Sequence, residues 1–536
     1  MSLSPGPRVP ERIRWWPLAV LLGLAALAVV AEWTADQPFQ KRNLGLVAVG
    51  IGFAWSIFFW WIGASGAPLR LRWGVAGGFL LVLGLGVGSF RIRGVSGDLL
   101  PILEPRWRRS IPVATPAVRP GTNAVVRPSP GTLPDTGTAE RDLTLKGSSG
   151  PEFPQFLGPE RTGVVQGPAL DTDWKSRPPQ ELWRKAVGAA WSGFVVSGGR
   201  AITQEQAGEQ ERVACYDAAT GELLWVHDEP GRYFTTIAGE GPRATPAVAA
   251  GRVFALGALG TVQALDLATG RLLWKKSLRE DFGASPPEWG YSGSPLVLDG
   301  RVVIAAGGSE GRALIAFASE TGAVLWSGGP RGISYGSPFP ATFAGVGQIL
   351  CFGNRCLLSY DPATGQVLWQ RDWGTGQPLV AAPVLAGNDR VMVSAGYGVG
   401  AELFRVDRAG DGAWRVQSEW VSKRLKAKFA NPVRVADWVL GLDDGILAAL
   451  DLGDGRSLWK EGRYGHGQGI WTGGVYLLLA ESGELVALRP TRTGPGEVAR
   501  IPVLSGKSWN PIALAGDRLW VRNDQEAVCL RLPLVP

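Results

Sequence analysis

A nine-residue unit recurs along the chain. It reads Asp217-Ala-Ala-Thr-Gly-Glu-Leu-Leu-Trp225, then Asp266-Leu-Ala-Thr-Gly-Arg-Leu-Leu-Trp274, then Asp361-Pro-Ala-Thr-Gly-Gln-Val-Leu-Trp369. Looser copies are Ser319-Glu-Thr-Gly-Ala-Val-Leu-Trp326 and Asp451-Leu-Gly-Asp-Gly-Arg-Ser-Leu-Trp459. Trp225, Trp274, Trp326 and Trp369 follow one another at intervals of 49, 52 and 43 residues. The unit has a mechanical reading. The Asp side chain caps a turn, and Gly supplies the positive φ that closes it. The apolar pair then enters a strand, and Trp offers a broad flat surface for packing against a neighbouring repeat. A second pattern opens each repeat: Ala-Thr-Pro-Ala-Val from Ala244, Gly-Ser-Pro-Leu-Val from Gly293, Ala-Ala-Pro-Val-Leu from Ala381 and Ala-Asn-Pro-Val-Arg from Ala430. Proline is tolerated at the first position of a strand, where no ladder donor is needed.

Short Gly-punctuated strands at this period are those of four-stranded propeller blades. The 75 Gly and 24 Trp of the 536 residues fit such a repetitive all-β chain. Opening strands near Trp191, Thr245, Ser294, Ser337, Ala382, Asn431, Gln468 and Asn510 predict an eight-bladed β-propeller. Seven blades is the alternative, because the fifth and seventh units are degenerate. The last blade lacks its own outer strand. Glu181-Leu-Trp183-Arg-Lys has outer-strand character and no blade before it, so it is expected to complete the last blade and close the ring. Closure hides edges that would invite aggregation. The blade residues expected between blades are Trp183, Trp225, Trp274, Trp326, Trp369 and Trp459.

Three uncharged stretches precede the repeats, at about 15–31, 44–66 and 73–90, each long enough or nearly so to cross a hydrocarbon core as a helix. The first is also readable as a cleaved signal peptide ending at Val29-Val30-Ala31. Arg8, Arg12 and Arg14 before the first stretch, and Arg70 and Arg72 before the third, place both flanks on the cytoplasmic side. The remainder then lies on the far side, against which Arg91, Arg93, Arg106, Arg108 and Arg109 argue. The expected organisation is a membrane anchor over 1–94, a Pro-rich linker over 95–150 and the propeller over 151–536. Eight prolines between 101 and 134 favour extended, polyproline II-like chain. As a coil, 110–150 spans roughly 35 Å, and fully extended about 100 Å.

These repeats resemble pyrroloquinoline quinone (PQQ) repeats. That family includes quinoprotein alcohol and glucose dehydrogenases and the propeller scaffold of the bacterial outer-membrane β-barrel assembly machine. The resemblance covers about 153–536, and Phe153-Pro-Gln-Phe-Leu-Gly-Pro-Glu-Arg-Thr-Gly163 resembles the lead-in of many bacterial members. It implies the fold with high specificity. For function it implies two classes: a non-catalytic binding or scaffolding module for envelope proteins or polymers, or a PQQ-dependent dehydrogenase of alcohols or sugars. The second would need calcium held by a carboxylate and an amide, a catalytic Asp and, in many alcohol dehydrogenases, a bridge between adjacent cysteines. No adjacent Cys pair exists here. Glu205, Asp281 and Glu288 are candidate acids, but nothing in the sequence marks them as ligands. The favoured expectation is therefore the binding module, with no cofactor; PQQ with calcium belongs to the alternative. Localisation is expected at a bacterial inner (cytoplasmic) membrane, with the propeller in the periplasm.

The residues just before the innermost strands gather at one mouth of a propeller. Here they include Trp191, Arg243, Tyr291, Tyr335, Lys428, His466 and Trp509, with Glu288 and Trp289 in a nearby loop. Aromatics with Arg, Lys and His suit a flat anion or an extended peptide; such residues also serve simply to finish a channel. Four Cys and two His supply no recognisable zinc spacing, and most His-based mechanisms lack parts. The net charge of +7 is spread without a Lys/Arg run, which gives no basis for a nucleic-acid partner. Cys351-Phe-Gly-Asn-Arg-Cys356 reads as a hairpin with a two-residue Gly353-Asn354 turn, which would set the two Cys opposite each other. A disulfide and a pair of buried thiols are both open readings.

Overall fold

The computed structural model describes residues 13–35, 39–107 and 152–536, apart from Glu310, Arg331 and Thr375. Most of the Pro-rich linker lies outside the described residues.

The N-terminal unit contains three helices, α1 (Trp16–Thr34), α2 (Phe39–Gly63) and α3 (Leu69–Ser89), each long and apolar enough to cross a membrane. Side chains such as Leu24, Leu27, Val30, Leu81 and Val82 are exposed. A helix apolar around its whole circumference, with little of it covered by protein, suits lipid. The expected spans held no charge, whereas the helices run further and take Glu32, Lys41, Arg42, Arg70 and Arg72 into their terminal turns. Arg72 donates from Nε to the Ala67 carbonyl at 2.7 Å and from Nη1 to that of Ile62 at 3.2 Å. A cation thus satisfies a carbonyl at the C-terminal end of α2. The linker boundary at 95 needs correction. Phe90–Val95 and Pro101–Pro105 pair antiparallel, and Arg91 bridges Glu104 at 2.8 Å. The alternation of Phe90, Ile92, Leu103 and the two arginines is a strand pattern that the proline count obscured.

In the second unit, eight four-stranded sheets form the blades. Blades 1 to 7 span Val195–Pro230, Ala247–Ser277, Leu296–Gly328, Phe339–Asp372, Val384–Ser422, Val433–Arg463 and Gln468–Pro502. Blade 8 takes three strands from Ala513–Arg531 and its outer strand from Gln180–Ala186, paired antiparallel with Glu526–Arg531. The ring is closed as the early Trp183 segment predicts.

The turn motif works as its residues suggest. Asp217 Oδ1 accepts from Ala219 N, Thr220 N and Thr220 Oγ1 at 2.9, 2.8 and 3.0 Å. Asp266 and Asp361 repeat the set. The Trp makes a bond across the blade boundary. Trp274 Nε1 donates to Ser319 O on blade 3 at 3.0 Å, and Trp326 Nε1 to Pro362 O on blade 4 at 3.0 Å. Trp183, Trp225 and Trp459 do the same to Ala218, Leu267 and Thr491. The turn glycine has a second duty. A Cβ on Gly322 would lie 2.7 Å from the Trp274 ring, and one on Gly365 only 2.3 Å from that of Trp326. Gly221 and Gly270 meet Trp183 and Trp225 in the same way, so these four rings are roofed by the next blade's turn.

Trp183, Trp274, Trp326, Trp369 and Trp459 are buried, while Trp225 is half-buried. Trp369 differs in its partner, donating to Gln348 of its own blade at 2.8 Å. Trp420, absent from the sequence expectation, fills the position in blade 5 and donates to Leu452 O at 3.0 Å. Blade 7 holds Ala499 at the equivalent register position, opposite Ala487.

The residues before the opening prolines tie adjacent blades together. Gly193 N donates to Thr245 Oγ1, Thr245 N to Ser294 Oγ and Ser294 N to Ser337 Oγ, at 3.0, 3.0 and 2.9 Å. Ala382 N donates to Asn431 Oδ1 at 2.9 Å, and Asn510 Nδ2 to Ala190 O at 2.9 Å. The lead-in runs through the bore inside this girdle. Phe153 exchanges both backbone bonds with Val196 at 2.8 Å, Pro154 O accepts from Val248 N, and Gly163 O accepts from Trp471 N. These N–H groups belong to innermost strands whose bore-side edge would otherwise lack partners. Arg161, 1% exposed, donates to Pro295 O at 2.9 Å and Ser294 O at 3.2 Å. Burial pulls its guanidinium pKa down to about 9.

The hairpin at Cys351 has a different register from the expected one. Phe352 pairs with Leu357 and Cys351 with Leu358, leaving a longer Gly353–Arg355 connection. The two Cys are diagonal neighbours on one face, where Cα atoms lie about 7–8 Å apart, beyond disulfide reach. Both are buried free thiols.

Candidate functional site

Of the residues expected at the mouth, the structure brings several together and removes one. Trp191 and Trp509, preceding the innermost strands of blades 1 and 8, lie with ring centroids 5.0 Å apart at 42°. Phe429 packs on Trp509 at 4.8 Å, and His466 on Phe429 at 5.3 Å. Lys507 places its ammonium 3.8 Å from the Trp509 ring centroid and 4.7 Å from that of Trp191. A cation over an indole face is attracted by the ring quadrupole. Trp509 is half-buried, and its Nε1 is enclosed without a hydrogen-bond partner. Lys428, next to Phe429 in the chain, holds its ammonium 4.8 Å over Tyr397.

His466 itself is 1% exposed, so it backs the cluster and presents no ring to solvent; its backbone N–H donates to Glu481 at 2.8 Å. Arg243 is also buried. Its guanidinium lies 4.2 Å over Tyr233 and donates to the Gly241 carbonyl. Burial lowers its pKa to about 10, opposed by Tyr233 and Glu211. Glu211 is buried beside it and accepts from Ala258 N at 3.0 Å. Desolvation raises the Glu211 carboxyl to about 7, against the pull of that backbone bond and of Arg243.

Tyr291 is the correction. It is 1% exposed in the apolar cluster of Phe254, Trp274 and Phe317, and its hydroxyl donates to Ala306 O at 2.9 Å. It is a packing residue joining blades 2 and 3. Its place in the chain suggested the mouth, but the loop turns its ring inward.

Glu288, Trp289 and Tyr335 form another part of the rim. Trp289 stacks on Tyr335 with centroids 5.2 Å apart at 26°, and its backbone N–H meets the Tyr335 hydroxyl at 3.4 Å. The Tyr233 hydroxyl anchors the same loop by donating to the Glu288 carbonyl. A cleft of about 500 Å³ opens here, lined by Ser285, Glu288, Trp289, Ser334, Tyr335 and Asn354, with Gln377 at one side. Phe429, Lys507, Tyr397, Tyr233 and Glu211 were not foreseen. Lys507 and Phe429 had a local signal, because each lies beside a foreseen rim residue; Glu211 comes from within a strand and had none.

The three candidate acids do not converge. Glu205 is buried and accepts from Gly188 N at 2.8 Å, Asp281 accepts from Ser277 N at 2.8 Å, and Glu288 lies exposed at the cleft. Among the described residues, no three His, Cys, Asp or Glu side chains are grouped to hold a metal ion.

Comparison with known proteins separates the possibilities further. An assembly factor BamB from Burkholderia pseudomallei is 27% identical over 353 residues, covering 61% of this chain and 84% of that protein. A quinone-dependent alcohol dehydrogenase subunit from Gluconacetobacter polyoxogenes is 31% identical, but only over 198 residues, 34% of this chain and 24% of that protein. The crystal structure of the quinohemoprotein alcohol dehydrogenase from Comamonas testosteroni superposes with a TM-score of 0.54 at 15% identity, covering 72% of this chain and 81% of that one, which is a likeness of fold. The PQQ-repeat family model described as outer membrane protein assembly factor BamB matches residues 173–279, 209–461 and 357–496, together more than half of the chain. With its closed ring of Trp-roofed blades, the chain belongs to that BamB-type PQQ-repeat family.

Proposed function

We propose that the chain is a membrane-anchored binding and scaffolding module, without catalysis of its own, that presents its rim to an envelope protein or polymer. The three apolar helices would hold it at the inner membrane, with the propeller in the periplasm. The observation that carries the reading is the Trp191–Trp509–Phe429 cluster with Lys507 over it. It combines an aromatic stacking surface with a cation. Tryptophan is among the side chains that carry most of the binding energy at protein interfaces. The BamB relatives, which are outer membrane protein assembly factors, support a protein partner.

Arg243→Ala would strip Glu211 of its counter-charge, so Trp509→Ala and Lys507→Ala are the cleaner variants. Each is expected to weaken cross-linked capture of envelope partners several-fold; Lys507→Ala should do so with the unfolding midpoint nearly unchanged, whereas Trp509→Ala also loses packing against Trp191 and Phe429. Capture at the wild-type level by both variants refutes the rim reading. The quinoprotein alternative has its own check. Calcium-dependent, chelator-sensitive reduction of an artificial acceptor by an alcohol or aldose, in the presence of added PQQ, would replace the scaffold reading with an enzyme.

A further inference from the structure

We infer that the cleft beside Trp289 is a saccharide subsite, taking a short stretch of a neutral glycan. The inference rests on the reading of the rim as a binding surface and names the ligand class for one part of it. Its volume of about 500 Å³ falls in the range of small-ligand sites, roughly 300–1,000 Å³. The lining chemistry narrows the class. Asn354 and Gln377 bring carboxamides, Ser285 and Ser334 hydroxyls, and Glu288 a carboxylate. Amides and hydroxyls both donate and accept, which matches a ligand whose own hydroxyls do both. The Ser334 hydroxyl is fixed by accepting from Leu379 N at 2.7 Å, so its proton is free to point elsewhere. Trp289, half-buried and braced by Tyr335, supplies a firm apolar plane for the C–H face of a pyranose.

Charge disfavours anions. Among the described lining residues the formal charge is the exposed Glu288 carboxylate, which repels them, and Arg243, whose charge acts on Tyr335, is buried over Tyr233. An organic cation is better served by a cage of several aromatic faces. Here Tyr335 covers one face of Trp289, and the remaining described lining residues, Pro287, Ile333 and Pro378 among them, bring no further aromatic face. The lining segments Ser285–Trp289, Ser334–Tyr335 and Gln377 precede the innermost strands of blades 3, 4 and 5, so the cleft opens on the mouth face. A chain bound there has room to continue outward.

The test is calorimetric titration of the full chain in detergent with neutral tetrasaccharides (one of β-1,4-linked N-acetylglucosamine, one of α-1,4-linked glucose), and with choline and inorganic phosphate. Saturable binding of at least one tetrasaccharide is expected. Trp289→Ala should weaken it about tenfold, the scale of a lost aromatic platform. Glu288→Ala and Asn354→Ala, both at exposed positions, should weaken it several-fold with an unchanged unfolding midpoint. Trp509→Ala should leave it unaltered. Absence of saturable tetrasaccharide binding, binding of choline or phosphate in its place, or saccharide binding indifferent to all three cleft variants would overturn the inference. If partner capture still depends on Trp509 and Lys507 in that case, the rim reading survives and only the glycan subsite falls.

Discussion

At the scale of single residues, the Trp–Gly contact between blades is the feature with the sharpest consequences. Gly322 has φ +69° and lies under Trp274. Trp274→Ala should cost about 3–5 kcal/mol through lost contact and a cavity. Gly322→Ala should cost about 1–3 kcal/mol, from the left-handed backbone and the clash with the ring. The double variant should be less destabilised than the sum, because the clash disappears with the ring; chemical denaturation of the four proteins measures the coupling. Strict additivity would show that the ring and the turn do not touch. Glu211 gives a pH signature. Its carboxyl titrates at about 7 in the fold against an ordinary 4.5. The folded state therefore holds the proton more tightly than the unfolded chain. The stabilisation is complete below about pH 4.5 and fades as pH rises through about 7. Unfolding midpoints between pH 4.5 and 8 should fall in the wild type relative to Glu211→Gln. Parallel profiles would mean that the carboxyl is not desolvated. The turn aspartates and glycines were legible in the sequence, because their reasons are local. Glu211 was not: its burial beside Arg243 comes from blade packing.

At the scale of elements, seven of the eight outer strands carry the interblade Trp, and sequence spacing identified six of them. Trp420 escaped because blade 5 has a longer outer hairpin, Gly400–Arg408 with Trp414–Ser422, which moves the Trp away from any turn motif. The Cys351–Cys356 hairpin shows how register eludes local reading. Gly-Asn favours a two-residue turn, but blade packing selects the pairing of Phe352 with Leu357. A register change of this kind moves every cross-strand pair. Mass spectrometry of non-reduced, exported protein should therefore find both thiols free. Burial raises both thiols' pKa values, Cys351 to about 12, so alkylation should need denaturant. A Cys351–Cys356 disulfide in that material would restore the tight-turn register.

At the scale of the whole chain, helix ends and loop charges bear on topology. The facing ends of α1 and α2 and the segment between them carry Glu32 and Asp36 against Lys41 and Arg42, while the first turn of α3 carries only Arg70 and Arg72. With the Arg-rich N-terminal arm, this asymmetry is the basis for proposing that the second loop lies in the cytoplasm. A reporter fused after Pro536 should be active only in its exported form; activity of a cytoplasmic reporter there would reverse the orientation. By itself the sequence determined the period, the closing strand at Trp183 and the three apolar helices, and it favoured eight blades over seven. Each is written in local chemistry: turn residues, strand alternation, or an uninterrupted apolar run. Tertiary structure alone decided which side chains meet at the mouth, that Tyr291 is core, that the lead-in from Phe153 occupies the bore, and that Glu288 and Trp289 open onto a cleft with Asn354. Those contacts join residues tens to hundreds of positions apart, and only the closed ring, which fixes the angle of each blade to the next, brings them within reach.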